Sequence, residues 1–343
     1  MKARLLTIFL LVSVISVVFA GGRRDAAKKN ASNEVVIYAH DSFASEWGAG
    51  PALCEAFEKK TGIKVNLISV GDAVQVLSNA ILEKDAPVAD ILIGLDNNLY
   101  PKAKAADILE AYKPVDGDKV IDKTLLMEDG WLLVPYDWSS FAMIFDSESG
   151  IEAPTCLADL TKDIYRKKII LMDPRTSTPG LGFAAWTLAV YGMDGVADYW
   201  RSLKANILTM APGWSTGYGL FTEGEAPLVI SYTTSPAYHV AYDEGDKFKA
   251  LEFTDGHTYQ TEGAGLVKNA PNKENGKRFL DFLVSAEAQE LVPETQWMYP
   301  ANNSVELPES FKAVSAVPAK VLTVDMDELD KAVELILAVL AEN

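Results

Sequence analysis

Three features of the sequence predict an α/β fold of two lobes. Short β-branched runs alternate with stretches of helical periodicity, and each run ends in a polar loop, the pattern of an open sheet carrying helices on its faces. Once an N-terminal targeting segment is set aside, about 320 of the 343 residues remain, room for two domains at the usual ~100–200 residues each. The alternation is interrupted once, by the extended stretch Trp131 to Phe145 (WLLVPYDWSSFAMIF), which contains Pro135 and Asp137. That stretch is too long for one ordinary strand and is read as the crossover into the second lobe.

The targeting segment is MKARLLTIFLLVSVISVVFA, in which Lys2 and Arg4 precede an apolar run from Leu5 to Phe19 and Val18 and Ala20 stand before a cut. Those are the three parts of a secretory signal peptide, so residues 1–20 are expected to be removed and the protein to work in the periplasm or otherwise outside the cytoplasm. The apolar run is shorter than the ~20 residues of a spanning helix, and no cysteine stands at the cut to carry a lipid. Residues 21–33 (GGRRDAAKKNASN) are small, basic and polar and read as a flexible leader.

Val35 to Ala39 is the first strand, followed by His40-Asp41-Ser42 and a helix that passes Leu53 and Phe57 and stops at Gly62. Lys64 to Val70 is the second strand, and Gly71-Asp72-Ala73 opens a helix to Glu83. Ala89 to Ile93 is a third, buried strand with Gly94 to Asn98 at its end. Repeated units of this kind predict a parallel sheet whose strand-end loops form a ligand crevice. Beyond the crossover, Lys168 to Met172 is a strand, Phe183 to Tyr191 a helix and Ala226 to Tyr232 another strand. Helices over Lys273 to Val284, Ala286 to Leu291 and Asp325 to Leu340 close the chain. Lobe 1 is assigned residues 34–134 and 236–297, lobe 2 residues 135–235 and 298–343.

The formal charge is −17, and losing Lys2 and Arg4 with residues 1–20 makes it −19. Such acidity argues against nucleic acid or an anionic membrane as partner and suits a cationic ligand. Cys54 and Cys156 are the two cysteines, so a disulfide scaffold is excluded and a single bridge is left open. Three histidines (His40, His239, His257) without a CxxC or HExxH pattern argue against a zinc site.

Two hydroxyl-rich loops precede Pro-initiated helix starts: Thr176-Ser177-Thr178 before Pro179, and Thr233-Thr234-Ser235 before Pro236. Helix N-termini of this kind hold phosphate or carboxylate groups, although each hydroxyl could instead cap its own helix. Aromatic side chains gather in polar, Gly-rich loops at Trp214, Tyr218, Tyr232, Tyr238 and Trp297 to Tyr299, where a wall of rings could hold a planar cation. Core packing is the competing reading, and it weighs most for Trp131, Trp186 and Trp200. Asp41, Asp72 and Asp96 fall at strand ends and could each pair with a cationic ring or cap a helix. Neither a phosphate-binding GxxxxGK[ST] loop nor a G-x-S-x-G nucleophile elbow is read into the chain, and no enzyme is expected.

Six blocks, in order from about residue 35 to 310, carry a family resemblance: Asp41 to Ala44 with Trp47-Gly48, Gly94 to Asn98, Asp173 to Gly182, Gly213 to Ser215, Ser231 to His239, and Trp297 to Pro300. Together they resemble the periplasmic thiamine-binding proteins of ABC transporters, within the type II periplasmic binding proteins, a group related to ferric-ion and polyamine binders. The resemblance implies two lobes closing on thiamine, its monophosphate or its diphosphate. It implies no cofactor, a monomer, and a membrane permease with its ATPase as partners. The positions it marks for ligand contact are Asp72 with Ala73, Ser177 with Thr178, Trp214, Tyr232 with Thr233, Thr234 and Ser235, then Tyr238 and Trp297, with Asp41 in addition. His40 stands where the family has tyrosine, and Ala73 where a glycine follows the aspartate. A ferric-ion or polyamine binder of the same fold, or a secreted hydrolase, is the alternative.

Overall fold

The computed structural model describes residues 33–128, 130–314 and 316–342; the expected signal peptide and nearly all of the leader lie outside them. The first side of the molecule holds β1 (Glu34–Ala39), α1 (Asp41–Ala44), α2 (Ala49–Thr61), β2 (Lys64–Ser69), α3 (Ala73–Leu82), β3 (Ile91–Asp96), α4 (Tyr100–Ala106), β4 (Leu109–Glu110) and α5 (Gly117–Val120). The long strand β5 (Val134–Asp146) leads to β6 (Ile169–Met172), α6 (Thr178–Leu203), β7 (Ile207–Ala211), α7 (Trp214–Thr222), β8 (Leu228–Tyr232), α8 (Pro236–Ala241) and β9 (Phe248–Ala250). The chain returns through β10 (Tyr259–Val267), α9 (Lys273–Leu283), α10 (Ala286–Gln289), α11 (Val292–Thr295) and β11 (Tyr299–Pro300), and ends with α12 (Glu309–Val314) and α13 (Met326–Ala341).

Main-path strands run in the order β2-β1-β3-β10-β5-β8-β6-β7. β1 pairs parallel with β2 and β3, and β6 pairs parallel with β7 and β8, so each end of the sheet is the expected parallel α/β unit. The middle is not parallel: β10 runs antiparallel to β3 and β5, and β5 runs antiparallel to β8. β9 still pairs with the C-terminal part of β5, at Ile144 to Asp146.

The stretch read as too long for one strand is a single strand of 13 residues. Its first part, Val134 to Ser140, pairs with β10, and its second part, Phe141 to Phe145, pairs with β8. Length is tolerated because the two parts belong to opposite sides of the molecule. Pro135, which lacks an N–H, sits beside a register shift in which Pro135 faces Gly263, Asp137 faces Glu262 and Tyr136 is the extra residue; a bulge is where a strand accepts proline.

Apolar faces supply two cores. One buries Trp186, Trp200 and Phe183 beneath α6, and the other packs Phe43, Phe57 and Phe279 between β1, α2 and α9. Trp186 donates its indole N–H to Gly256 O at 2.8 Å and Trp200 donates to Thr187 Oγ1 at 2.9 Å. The core reading therefore holds for both. Cys54 and Cys156 are both free thiols, and burial pushes the Cys54 thiol up to about 12, which leaves it inert.

Candidate functional site

A cavity of about 460 Å³ opens where the parallel strands end, within the range of small-molecule sites. The loop after β1 brings His40 and Ser42 to it, the loop after β2 brings Asp72, and the start of α6 brings Thr178 and Pro179. From the same side as α6, Trp214, Ser215, Tyr232 and Ser235 join them. Trp297 and Met298 approach from the segment before β11, and Glu262 from β10.

Rings form its walls. Trp214 stacks on Tyr218 with centroids 4.9 Å apart and planes 15° from parallel, and its Nε1 donates to Ser231 Oγ at 2.8 Å. Trp47, 53% exposed, reaches toward Trp214 from the other lobe at 6.1 Å. A second group sits at Tyr238, Tyr242 and Trp297: Tyr238 and Trp297 meet edge to face at 5.3 Å and 90°, and Tyr242 lies 5.9 Å from Trp297. Trp297 takes a left-handed backbone, φ 57°, which only surrounding contacts can hold in a bulky residue.

The two hydroxyl loops do not behave alike. Ser177 occupies the N-cap position of the 26-residue α6 without bonding to it, is fully buried, and lies beside the Asp72 carboxyl. In the second loop Ser235 Oγ accepts from Tyr232 N at 3.2 Å and pairs with Ser231 Oγ at 2.7 Å. Thr233 and Thr234 both turn to Ser139 Oγ at 3.2 Å and do not line the cavity.

Capping accounts for much of the acidic set. Asp72 caps α3 with Oδ1 accepting from Ala73 N at 2.6 Å, while Oδ2 faces Trp214 N of the opposite lobe at 3.4 Å; burial pushes its carboxyl up. Ala73 itself is packed in the core. Asp96 accepts from Leu99 N at 2.8 Å and Asn98 Nδ2 at 3.1 Å, away from the cavity, and burial raises it to about 7. Asp41 is also outside the lining and accepts from Ser215 Oγ at 3.5 Å.

Of the positions marked in the sequence, the structure thus brings Asp72, Thr178, Trp214, Tyr232, Ser235, Tyr238 and Trp297 to one cavity. Asp41, Ala73, Ser177, Thr233 and Thr234 stand behind it. Glu262, His40 and Tyr218 line it without having been marked as contacts. Glu262 accepts from Tyr136 Oη at 2.5 Å and from Gln260 Nε2 at 2.8 Å. Its signal was there to read: it is the one charged residue of Tyr259 to Val267 and is followed by Gly263.

One reading needs correction. Gly213 to Gly217 (GWSTG) does spell G-x-S-x-G, with Gly213 at the N-cap and the rest in the first turn of α7. Ser215, however, has only Asp41 as hydrogen-bond partner. His239 bonds to Tyr218 Oη at 3.0 Å and Glu244 Oε2 at 2.7 Å instead, so this histidine does not face that hydroxyl. Among the described residues no group of three or more His, Cys, Asp or Glu side chains could hold a metal ion, and no helix is long and apolar enough to cross a membrane.

A ring-lined cavity between two α/β halves defines a solute-binding protein. Residues 86–332 match the bacterial extracellular solute-binding proteins, and the chain belongs to that family. It is 41% identical over 307 residues to the thiamine-binding periplasmic protein of Brucella abortus biovar 1 (strain 9-941), covering 89% of this chain and 90% of that one. To the protein of the same description in Escherichia coli (strain K12) it is 37% identical over 284 residues, 82% of this chain and 84% of the other. A solved periplasmic thiamin binding protein superposes with a TM-score of 0.82 at 33% identity, over 90% of this chain and 96% of that chain. The type II periplasmic binding fold, two α/β lobes with a cleft between them, is therefore the fold of this chain.

Proposed function

We propose that this protein captures thiamine, thiamine monophosphate or thiamine diphosphate outside the cytoplasmic membrane and hands it, without chemical change, to the permease and ATPase of an ABC importer. The observation that carries this reading is the pair of ring groups, Trp214 with Tyr218 and Tyr238 with Trp297, facing one cavity that also holds carboxyl groups. A planar, permanently charged thiazolium is the kind of ligand such walls hold. The names of relatives at 37–41% identity point the same way. The protein acts as a monomer whose two lobes close about the crossing strands β5 and β10.

Any phosphate sits at the start of α6. That helix end offers unpaired N–H groups and a positive dipole end, Thr178 and Pro179 line the cavity there, and the buried Ser177 hydroxyl lies behind them beside the Asp72 carboxyl. Replacing Ser177 with Ala is expected to weaken the monophosphate by roughly tenfold, about 1.4 kcal/mol, and to leave thiamine itself unchanged. Titration calorimetry with both ligands checks this. Equal losses for the two would remove the phosphate from α6, and release of inorganic phosphate by the purified protein would favour a hydrolase instead.

A further inference from the structure

We propose that Glu262 is the side chain that selects for positive charge in this cavity, and that the His40 imidazole is its counter-ion until the ligand arrives and displaces the proton. The inference rests on the thiamine reading above.

Glu262 is built to carry charge. Oε2 accepts from Tyr136 Oη and Oε1 accepts from Gln260 Nε2, and the Gln260 amide is oriented by Tyr232 Oη, which donates to its Oε1 at 3.1 Å. Hydrogen bonds accepted by both oxygens favour a carboxyl's charged form. Asp137 faces Glu262 across the strand pair and is 0% exposed. Burial and the neighbouring Glu262 push its carboxyl well above the usual range. Adjacent buried carboxyls disfavour each other's charge, and hydrogen bonds from Tyr136 and Gln260 support a negative charge on Glu262.

Among the described residues no Lys or Arg pairs with Glu262; the basic group beside it is His40, with Nε2 at 3.6 Å from Oε2 and 3.5 Å from Tyr136 Oη. His40 is 5% exposed and lines the same cavity. Burial works against its charge, but Glu262 on β10, Asp72 from the start of α3 and Asp41 on its own loop outweigh burial and raise its pKa. The ring can lose its proton without moving. Nδ1 lies 2.7 Å from Ser42 Oγ and 3.4 Å from Phe43 N, so it donates to the hydroxyl when protonated and accepts from both when not. A ligand cation entering beside Glu262 places like charge next to the imidazolium and lowers its pKa. Binding then releases a proton, and affinity falls as pH drops below the free protein's His40 pKa, by up to about tenfold per pH unit.

Three measurements on the purified protein test this. By NMR, the His40 pKa is expected to fall in Glu262→Gln. By calorimetry in two buffers of different ionisation enthalpy, wild type is expected to release a proton on binding thiamine, and His40→Gln to bind it without proton release and without the pH dependence between about pH 5 and 8. Glu262→Gln is expected to lose tenfold or more in affinity for thiamine but little for an analogue whose thiazolium is replaced by a neutral ring. An unshifted His40, no proton release, or equal losses for charged and neutral ligands overturns the inference while leaving thiamine binding intact. A wild-type protein that binds no thiamine overturns the functional reading, and Glu262's selecting role with it.

Discussion

Replacing Trp214 with Ala is expected to weaken thiamine binding by about 2 kcal/mol, roughly thirtyfold, while leaving the protein folded. The indole is half-buried at the cavity and packs against the edge of the larger apolar cluster, so its removal deletes a ligand-facing plane while leaving the buried members of that cluster in place. It also leaves Tyr218 without its stacking partner and Ser231 Oγ without the Nε1 donor. Tyr238→Ala, on the opposite ring group and 36% exposed, is expected to lose about 1 kcal/mol. Calorimetric affinities for both variants, alongside their melting temperatures, decide the matter; undiminished affinity in both would reject the ring-walled cavity as the binding site.

Gly94→Ala is expected to destabilise the fold by about 2–4 kcal/mol, combining backbone strain with overpacking. Gly94 is the residue skipped in the β3 to β10 register, where Leu95 faces Gly263 and Ile93 faces Ala264, and its φ is 94°. A Cβ there would stand 2.0 Å from His40 Cδ2 and 2.8 Å from Nε2. The ring has little room to yield, with Ser42 on one nitrogen and Tyr136 and Glu262 beside the other. Urea unfolding measures the loss, and a variant as stable as the wild type would show that the bulge and ring accommodate the methyl.

The bulge at Gly94 also explains what the sequence could and could not show. β1, β3, β6 and β8 were legible because parallel strands covered on both faces read as unbroken apolar runs, as in Ile169 to Met172 and Leu228 to Tyr232. β10 was not, since Gln260, Thr261, Glu262 and two glycines break its hydrophobic run. It is a strand because it is buried between β3 and β5, where bulges at Gly94 and Tyr136 bracket Glu262. Its site residue was hidden along with it.

In the loops the opposite held. Trp214, Tyr238 and Trp297 stood out as large rings in polar surroundings, and the structure places them around one cavity. The paired hydroxyl loops looked equivalent, yet Ser177 makes no cap bond to its own helix, while Thr233 and Thr234 bond to Ser139, a contact between residues about ninety positions apart that no local pattern contains.

Crystallising the protein with thiamine addresses the central claim most directly. The thiazolium is expected between the Trp214 and Tyr238 to Trp297 ring groups, within reach of Glu262, with the lobes closed over it. Thiamine found elsewhere on the molecule, or in the cavity with its charged ring turned away from both the aromatic faces and Glu262, would contradict the account.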